Sequence, residues 1–221
     1  MVDRKVGYLI VIVSIIVTAL GTPAGAQVFT KPAEKEPDRI RGQIAAVEAS
    51  AIVVKTRDDK TVRLGMPKNL TVLKLSKASF TEVAFGVYVG AVSKLLPAYS
   101  PIVRDSLSWL HEAYELRIFD EKLRGLALGH IKWDLTPESV MTHGWVDDME
   151  VRVFSIKYGP TEEEECDVEV SREVPITKLS LADRSLIKPG AHVFAGAQNG
   201  TSGAYEAVYI MVGVDGVVPA L

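Results

Sequence analysis

The fold is decided by the stretch Lys74-Leu75-Ser76-Lys77-Ala78-Ser79, which is followed by Gly86-Val87-Tyr88-Val89. A related stretch, Lys178-Leu179-Ser180-Leu181-Ala182-Asp183, is followed by Gly190-Ala191-His192-Val193, and the offset is 104 residues in both cases. Self-similarity at a fixed spacing indicates that one structural unit occurs twice. The sequence therefore predicts a duplicated unit, and the strands around these stretches show what kind of unit it is.

Short runs that alternate between apolar and polar residues surround the first stretch, as is typical of β-strands. Strands are predicted at 40–47, 51–56, 61–64, 70–75, 87–92 and 113–119. A short helical turn capped by Ser or Asp is predicted at 76–83 and again at 180–187. Three strands, a helical turn and two more strands are the order of an OB-like barrel. We therefore expect an all-β protein with two tandem small OB-like β-barrels joined by an ordered linker; two open β-sandwich-like sheets are the alternative.

The N-terminal sequence predicts that the protein is exported. Residues 1–26 combine a charged start, the apolar run 6–20 and a small-residue cleavage pattern at Ala24 and Ala26, as in a cleavable signal peptide. An uncleaved anchor is the alternative, although this run is shorter than the roughly 20 residues that span a bilayer. Residues 27–38 predict a disordered leader. The rest divides into a first OB-like domain, a signature linker and a second OB-like domain: 39–122, 123–143 and 144–221.

Composition narrows the classes of function. The chain has a formal net charge of −3 and only 7% aromatic residues, which disfavours nucleic acid as a partner. No second apolar run approaches a transmembrane span, so none is expected in the mature chain. The single Cys166 excludes an internal disulfide, and its acidic neighbours favour an inert thiol. The acidic run 162–165 is interpreted as a solvated loop, with weak cation attraction as the alternative.

Several short motifs between the two units resemble those of one protein family. They are Arg124-Gly125, Gly129-His130, Trp133-Asp134-Leu135, Pro137, Ser139 and Met141-Thr142, with 188–190, 212–216 and Pro219 also fitting. On these residues the chain resembles a family of uncharacterised exported proteins of Gram-negative bacteria, built from two tandem OB-like domains joined by such a linker. The resemblance implies a periplasmic β-barrel protein of unknown function, because the family has no established activity to carry over. The chain departs from the family at Leu128, usually acidic, and at His143, usually Asn.

The leading functional hypothesis is a non-enzymatic periplasmic or secreted binding protein whose partner is an envelope protein or a glycan. The candidate binding residues lie in the linker and in the apolar, proline-containing insertion at 94–110: Arg124, His130, Trp133, Asp134, Tyr99 and Trp109. The competing interpretation of the linker is structural. In it, Trp133 packs over the seam between the barrels, while His130 and Asp134 bond to linker backbone amides.

Two other functions stay open at this point. Imidazole and carboxylate groups suit zinc or another divalent cation, the one cofactor considered, and the linker region offers His130, Asp134, His143, and Asp147 or Asp148. Their spacing matches no established metal motif. A hydrolase would need Ser139, His130 and Asp134 as nucleophile, base and orienting acid, but the sequence has no nucleophile elbow.

Overall fold

The computed structural model describes residues 37–97, 109–161, 163–200 and 204–219, so the predicted signal peptide and Tyr99 lie outside the described residues. The thirteen described strands are β1 (Asp38–Val47), β2 (Ala51–Thr56), β3 (Thr61–Gly65), β4 (Thr71–Lys77), β5 (Tyr88–Leu95), β6 (His111–Phe119), β7 (Gly129–Lys132), β8 (Ser139–Glu150), β9 (Val153–Lys157), β10 (Glu165–Glu169), β11 (Ile176–Leu181), β12 (His192–Asn199) and β13 (Tyr205–Gly213). Three single-turn 3-10 helices accompany them: η1 (Phe80–Glu82), η2 (Glu121–Leu123) and η3 (Arg184–Leu186). The prediction of an all-β protein is confirmed.

The predicted helical turns are present but shorter than expected. Ser79 caps η1: its hydroxyl accepts a hydrogen bond from the Thr81 N–H, and the Glu82 carboxylate accepts one from the Ser79 N–H. This reciprocal pair is a capping box. Asp183 caps η3 through a single bond, in which its carboxylate accepts from the Ser185 N–H. The turns span only three residues each because β4 and β11 continue into the segments predicted as helical.

Two closed circuits of five strands lie within one continuous sheet. In the first circuit, β3, β2, β1, β12 and β13 pair in that order and β13 closes on β3 in parallel. In the second circuit, β10, β9, β8, β5 and β6 pair in that order and β6 closes on β10 in parallel. Each circuit therefore takes three strands from one half of the chain and two from the other. This differs from the expectation of one barrel per contiguous segment.

β4 and β11 join the two circuits. They run antiparallel with Leu75 opposite Leu179, two residues that are 104 positions apart in the sequence. The register is symmetric about this pair, since Leu73 lies opposite Leu181 and Lys77 lies opposite Thr177. On the outer sides, β13 runs parallel to β4 and β6 runs parallel to β11. The two sides of the join are thus equivalent, because β4 and β11 each have one parallel strand as their outer neighbour.

Two glycines let neighbouring strands approach closely. A Cβ atom on Gly42 of β1 would collide with the backbone carbonyl oxygen of Lys55 on β2, and one on Gly144 of β8 would collide with that of Lys157 on β9. Beyond each glycine, the register shifts at a β-bulge. Glycine in a strand often marks such a bend or close approach of backbones.

The core consists of three main clusters. One is formed mainly by strands of the first circuit, around Ile52, Leu64 and Ile210, and another by strands of the second circuit, around Leu116 and Phe154. The third surrounds the join of β4 and β11, and Trp133 of the predicted linker packs against it. The linker therefore has a fixed place against the central cluster.

Within the described residues there is no helix that could cross a membrane.

Candidate functional site

The predicted linker is folded into a strand and a tight turn. β7 pairs antiparallel with β8, which begins inside the segment predicted as linker. Between them, the buried Ser139 hydroxyl accepts a hydrogen bond from the Thr136 N–H and lies 2.8 Å from the Thr136 carbonyl oxygen and 3.1 Å from that of Trp133. These contacts close the turn, so His130 on β7 and Trp133 at the start of the turn are held in defined positions.

A cleft of about 680 Å³ lies on the second circuit. Its lining combines aromatic, imidazole and carboxylate side chains: Trp109, His111, His130, Asp147, Lys157, Tyr158, Glu165, Cys166 and Asp167. We name it the His111–His130 cleft. The parallel closure of β6 on β10 places His111 opposite Val168, next to Asp167, and β7 brings His130 from the linker. The site is thus assembled from five separate stretches of the chain.

The ring side chains of this cleft contact one another. The His130 ring stacks on the Tyr158 ring with centroids 5.4 Å apart, and the His111 ring meets His130 edge-on at 5.9 Å. The Trp109 side chain is 54% exposed, and its indole N–H donates a hydrogen bond of 2.9 Å to Asp167. An exposed indole held by a carboxylate is a preformed flat surface with a polar edge.

The two imidazoles are held neutral near pH 7. Burial lowers the pKa of both, and the neighbouring His130 lowers that of His111 further, whereas Asp167 acts in the opposite direction. Nδ1 of His130 lies 2.8 Å from the Thr142 hydroxyl, and Nδ1 of His111 lies 3.2 Å from that of Ser93. Nε2 of each ring is therefore the nitrogen left for a ligand, as a donor or an acceptor.

Cys166 is buried at the edge of this cleft. Burial is the main reason that the pKa of its thiol is raised to about 11, and the nearby carboxylates of Asp167 and Glu165 raise it further. A thiol that is protonated at neutral pH is a weak nucleophile. This agrees with the interpretation of Cys166 as an inert residue, although burial, and not the acidic run, is the larger cause.

A second cleft, of about 490 Å³, lies on the first circuit. It is lined by Arg39, Ile40, Arg41, Thr56, Arg57, Asp58, Lys60, Val62, Asp134 and Leu135, and we name it the Arg39–Arg41 cleft. Both terminal nitrogens of Arg41 donate to the carboxylate of Asp134, at 2.7 and 2.8 Å. These hydrogen bonds lower the pKa of Asp134. Asp134 is therefore an anion already bound to the arginines of this cleft.

Trp133 lies beneath these arginines. Its ring stacks on Phe194 of β12 with centroids 6.1 Å apart, and the Arg39 guanidinium lies 3.9 Å above it. The structural interpretation of the linker predicted hydrogen bonds from His130 and Asp134 to linker amides. The structure differs, since His130 bonds to the Thr142 hydroxyl and Asp134 to Arg41. Side chains, and not linker amides, hold these two residues.

The candidate binding residues of the linker and the insertion thus do not form one site, because they lie at different clefts or outside both. Trp109 and His130 meet in the His111–His130 cleft. Trp133 and Asp134 lie at the other cleft, while the exposed Arg124 pairs with Glu121 and donates to the Gly86 carbonyl. The sequence analysis missed His111, Tyr158 and Asp167 as site residues. Each is an ordinary member of an alternating strand or its end, and the pairing of β10 with both β6 and β9 brings them together.

The candidate metal ligands do not converge. In the part of the chain that the structure describes, no group of three or more His, Cys, Asp or Glu side chains could hold a metal ion. Asp134 is engaged by Arg41, and Asp147 lies 3.9 Å from the Lys157 ammonium. Nδ1 of His143 lies 3.2 Å from the Leu126 carbonyl, and its buried Nε2 has no hydrogen-bond partner among the described residues. The geometry offers no support for the metal hypothesis.

The hydrolase hypothesis also lacks its geometry. Its three residues each bond elsewhere: the Ser139 hydroxyl to the turn backbone, His130 to Thr142 and Asp134 to Arg41. Nucleophilic catalysis by a serine requires a base within hydrogen-bond reach of the hydroxyl. No such contact links the three described side chains.

Comparison with known proteins adds no relative. No family model matches the chain, and no curated protein or solved structure matches it. The resemblance to the exported family thus stays a prediction from the linker motifs. The described residues thus form an all-β protein whose clefts include the His111–His130 cleft on the second circuit and the Arg39–Arg41 cleft on the first circuit.

Proposed function

We propose that this chain is a non-enzymatic extracytoplasmic binding protein whose ligand occupies the His111–His130 cleft. The observation that carries the proposal is the convergence of an exposed indole, a phenol ring, two neutral imidazoles and a carboxylate around one cleft of about 680 Å³. Concave sites with apolar surfaces and a few placed polar groups are the usual form of ligand sites. The export part of the proposal rests on the predicted signal peptide.

The strand pairing supports an OB-like interpretation of each circuit. In the first circuit, β1 pairs with β2 and β12, and β3 runs parallel to β13. In the second circuit, β8 pairs with β9 and β5 in the same way, and β10 runs parallel to β6. We propose that the circuits are two OB-like barrels that have exchanged their final pairs of strands. The face formed by the second and third strands of such barrels commonly binds oligonucleotides or oligosaccharides. Tyr158 and Asp167 lie on or next to these strands, β9 and β10.

A hydroxyl-rich glycan fits the chemistry of this cleft better than a nucleic acid does. Asp147, Glu165 and Asp167 face the single cation Lys157, so a phosphate backbone would be repelled. The carboxylate oxygens can accept hydrogen bonds from sugar hydroxyls, and the neutral imidazole rings can accept or donate them. The faces of Trp109 and Tyr158 can contact the apolar faces of sugar rings.

Titration with soluble oligosaccharides tests this proposal. We expect N-acetylglucosamine or glucose oligomers to shift the side-chain NMR signals of Trp109, His111 and His130 in the wild-type protein. Trp109→Ala and His130→Ala should each lower the affinity by about tenfold, the effect of removing an anchor residue from a binding site. Affinity should be measured by isothermal titration calorimetry.

Arg124→Ala is the matched control, because Arg124 is an exposed linker residue outside the cleft. It should bind the oligomers as the wild type does. Equal losses in Arg124→Ala and His130→Ala would contradict the proposed site. Chemical-shift changes confined to other strands would contradict it as well.

A further inference from the structure

The two clefts occupy corresponding strands but have opposite charge. The His111–His130 cleft lies over β9 and β10, and the Arg39–Arg41 cleft lies over β2 and β3, which hold the same places in the first circuit. Three carboxylates and one cation line the former. Four cations and two carboxylates line the latter: Arg39, Arg41, Arg57 and Lys60 against Asp58 and Asp134. The second cleft therefore has a net charge of +2 on a mildly acidic chain.

Aromatic rings hold the two arginines of β1 in place. The Arg39 guanidinium lies 3.9 Å from the Trp133 ring centre, and that of Arg41 lies 4.8 Å from the Phe194 ring centre. Their side chains are only 17% and 14% exposed. Stacking on aromatic faces fixes the plane of a guanidinium and leaves its edge for hydrogen bonds. The guanidinium groups of Arg39 and Arg41 are therefore oriented before any ligand binds.

Asp134 shows that these forks already bind an oxyanion. One of its carboxylate oxygens lies 2.7 Å from a terminal nitrogen of Arg41 and 3.6 Å from one of Arg39. Asp134 is 43% exposed, so solvent reaches the bound anion. Nε of Arg41 is buried without a hydrogen-bond partner among the described residues. A buried donor without a partner is costly, so an acceptor that bonded to this N–H on binding would remove that cost.

We infer that the Arg39–Arg41 cleft binds a phosphate group and that Asp134 is its internal competitor for Arg39 and Arg41. A dianionic phosphate neutralises the net charge of +2, and its oxygens match the fork geometry of guanidinium groups. Arg57 and Lys60, on the exposed connection between β2 and β3, complete the cation set. This site is independent of the proposed glycan cleft.

Two variants that change the charge of the cleft test the inference. Removing a cation by Arg57→Gln should lower the affinity for inorganic phosphate by about fivefold, and removing the competing carboxylate by Asp134→Asn should raise it by about fivefold. The readout is the NMR signal of the Arg41 Nε–H, titrated with phosphate to about 50 mM at constant ionic strength, which keeps charge screening equal throughout.

Arg63→Gln is the matched control, because Arg63 lies on β3 outside the cleft and is paired with Glu48. It should leave phosphate binding unchanged. The inference is wrong if phosphate does not move the Arg41 signal, or if Arg57→Gln and Arg63→Gln weaken binding equally. It is also wrong if Asp134→Asn weakens binding while the variant keeps its wild-type unfolding midpoint.

Phosphatidylcholine vesicles with and without phosphatidic acid distinguish the source of the phosphate. Sedimentation with the phosphatidic acid vesicles, competed by inorganic phosphate and weakened by Arg57→Gln, would support the inference and assign the phosphate to a lipid headgroup. Binding of inorganic phosphate without sedimentation would support it and assign a soluble phosphate ester.

Discussion

His143 is a histidine in a place that cannot easily accept a proton. Burial, aided by the positive charge of Arg117, lowers its pKa from 6.5 to about 4. Its ring packs edge-on against Phe119, with centroids 5.0 Å apart, and a Cβ on Gly90 would meet it at 2.6 Å. The family resemblance predicts Asn at this position, so His143 is where this chain departs from that pattern. This histidine should therefore lower the stability of the folded protein at acidic pH.

Stability should therefore fall as the pH falls from about 6.5 to about 4. In this window the unfolded chain binds a proton at residue 143 that the folded chain excludes, so protonation favours unfolding. The window corresponds to about 3 kcal/mol for this one group. His143→Asn should flatten this part of the pH dependence. Urea unfolding of both proteins at several pH values measures the difference.

His192→Asn serves as the control for this prediction, since His192 is the half-buried first residue of β12. It should leave the slope as in the wild type. The lowered pKa values of His111 and His130 act in the same direction in all three proteins and cancel in the comparison. Equal slopes for wild type and His143→Asn would contradict the assignment.

At the scale of single elements, the close approach of β8 to β9 depends on Gly144. Gly144→Ala should destabilise the protein by about 2 kcal/mol, because the new methyl group would collide with backbone that cannot rotate away. Gly65→Ala is a milder change, since its Cβ would meet the flexible Glu206 side chain at 3.0 Å. Thermal or urea unfolding compares the two, and equal effects would refute this reason for the glycine.

Most elements could be predicted from the sequence because local chemistry determines them. Alternation located β2 and β3, and the caps Ser79 and Asp183 located η1 and η3. The partners of the strands could not be predicted in this way. A hairpin such as β5–β6 presents the same alternating faces to either set of three strands, so its own pattern does not select between them. The same limit hid the proximity of His111 to Asp167.

At the scale of the whole molecule, neither half of the chain should be separable from the other without unfolding. A protease site inserted between the exposed Ala127 and Leu128 would divide the chain after η2. We expect the cut fragments to elute together in size-exclusion chromatography, because each circuit needs strands from both. They should separate in denaturant. Separation under native conditions would contradict the pairing of β1 with β12 and of β5 with β8.

The pairing of β1 with β12 also determines the order in which the protein can be completed. β1 to β3 precede the other described strands along the chain, yet their circuit closes only with β12 and β13, the last two described strands. Their apolar faces and free edges therefore stay unpaired while the strands from β4 to β11 are synthesised, which exposes them to aggregation. Such high contact order slows folding. A nascent chain of this design gains from a chaperone that keeps β1 to β3 unfolded until β12 and β13 are available.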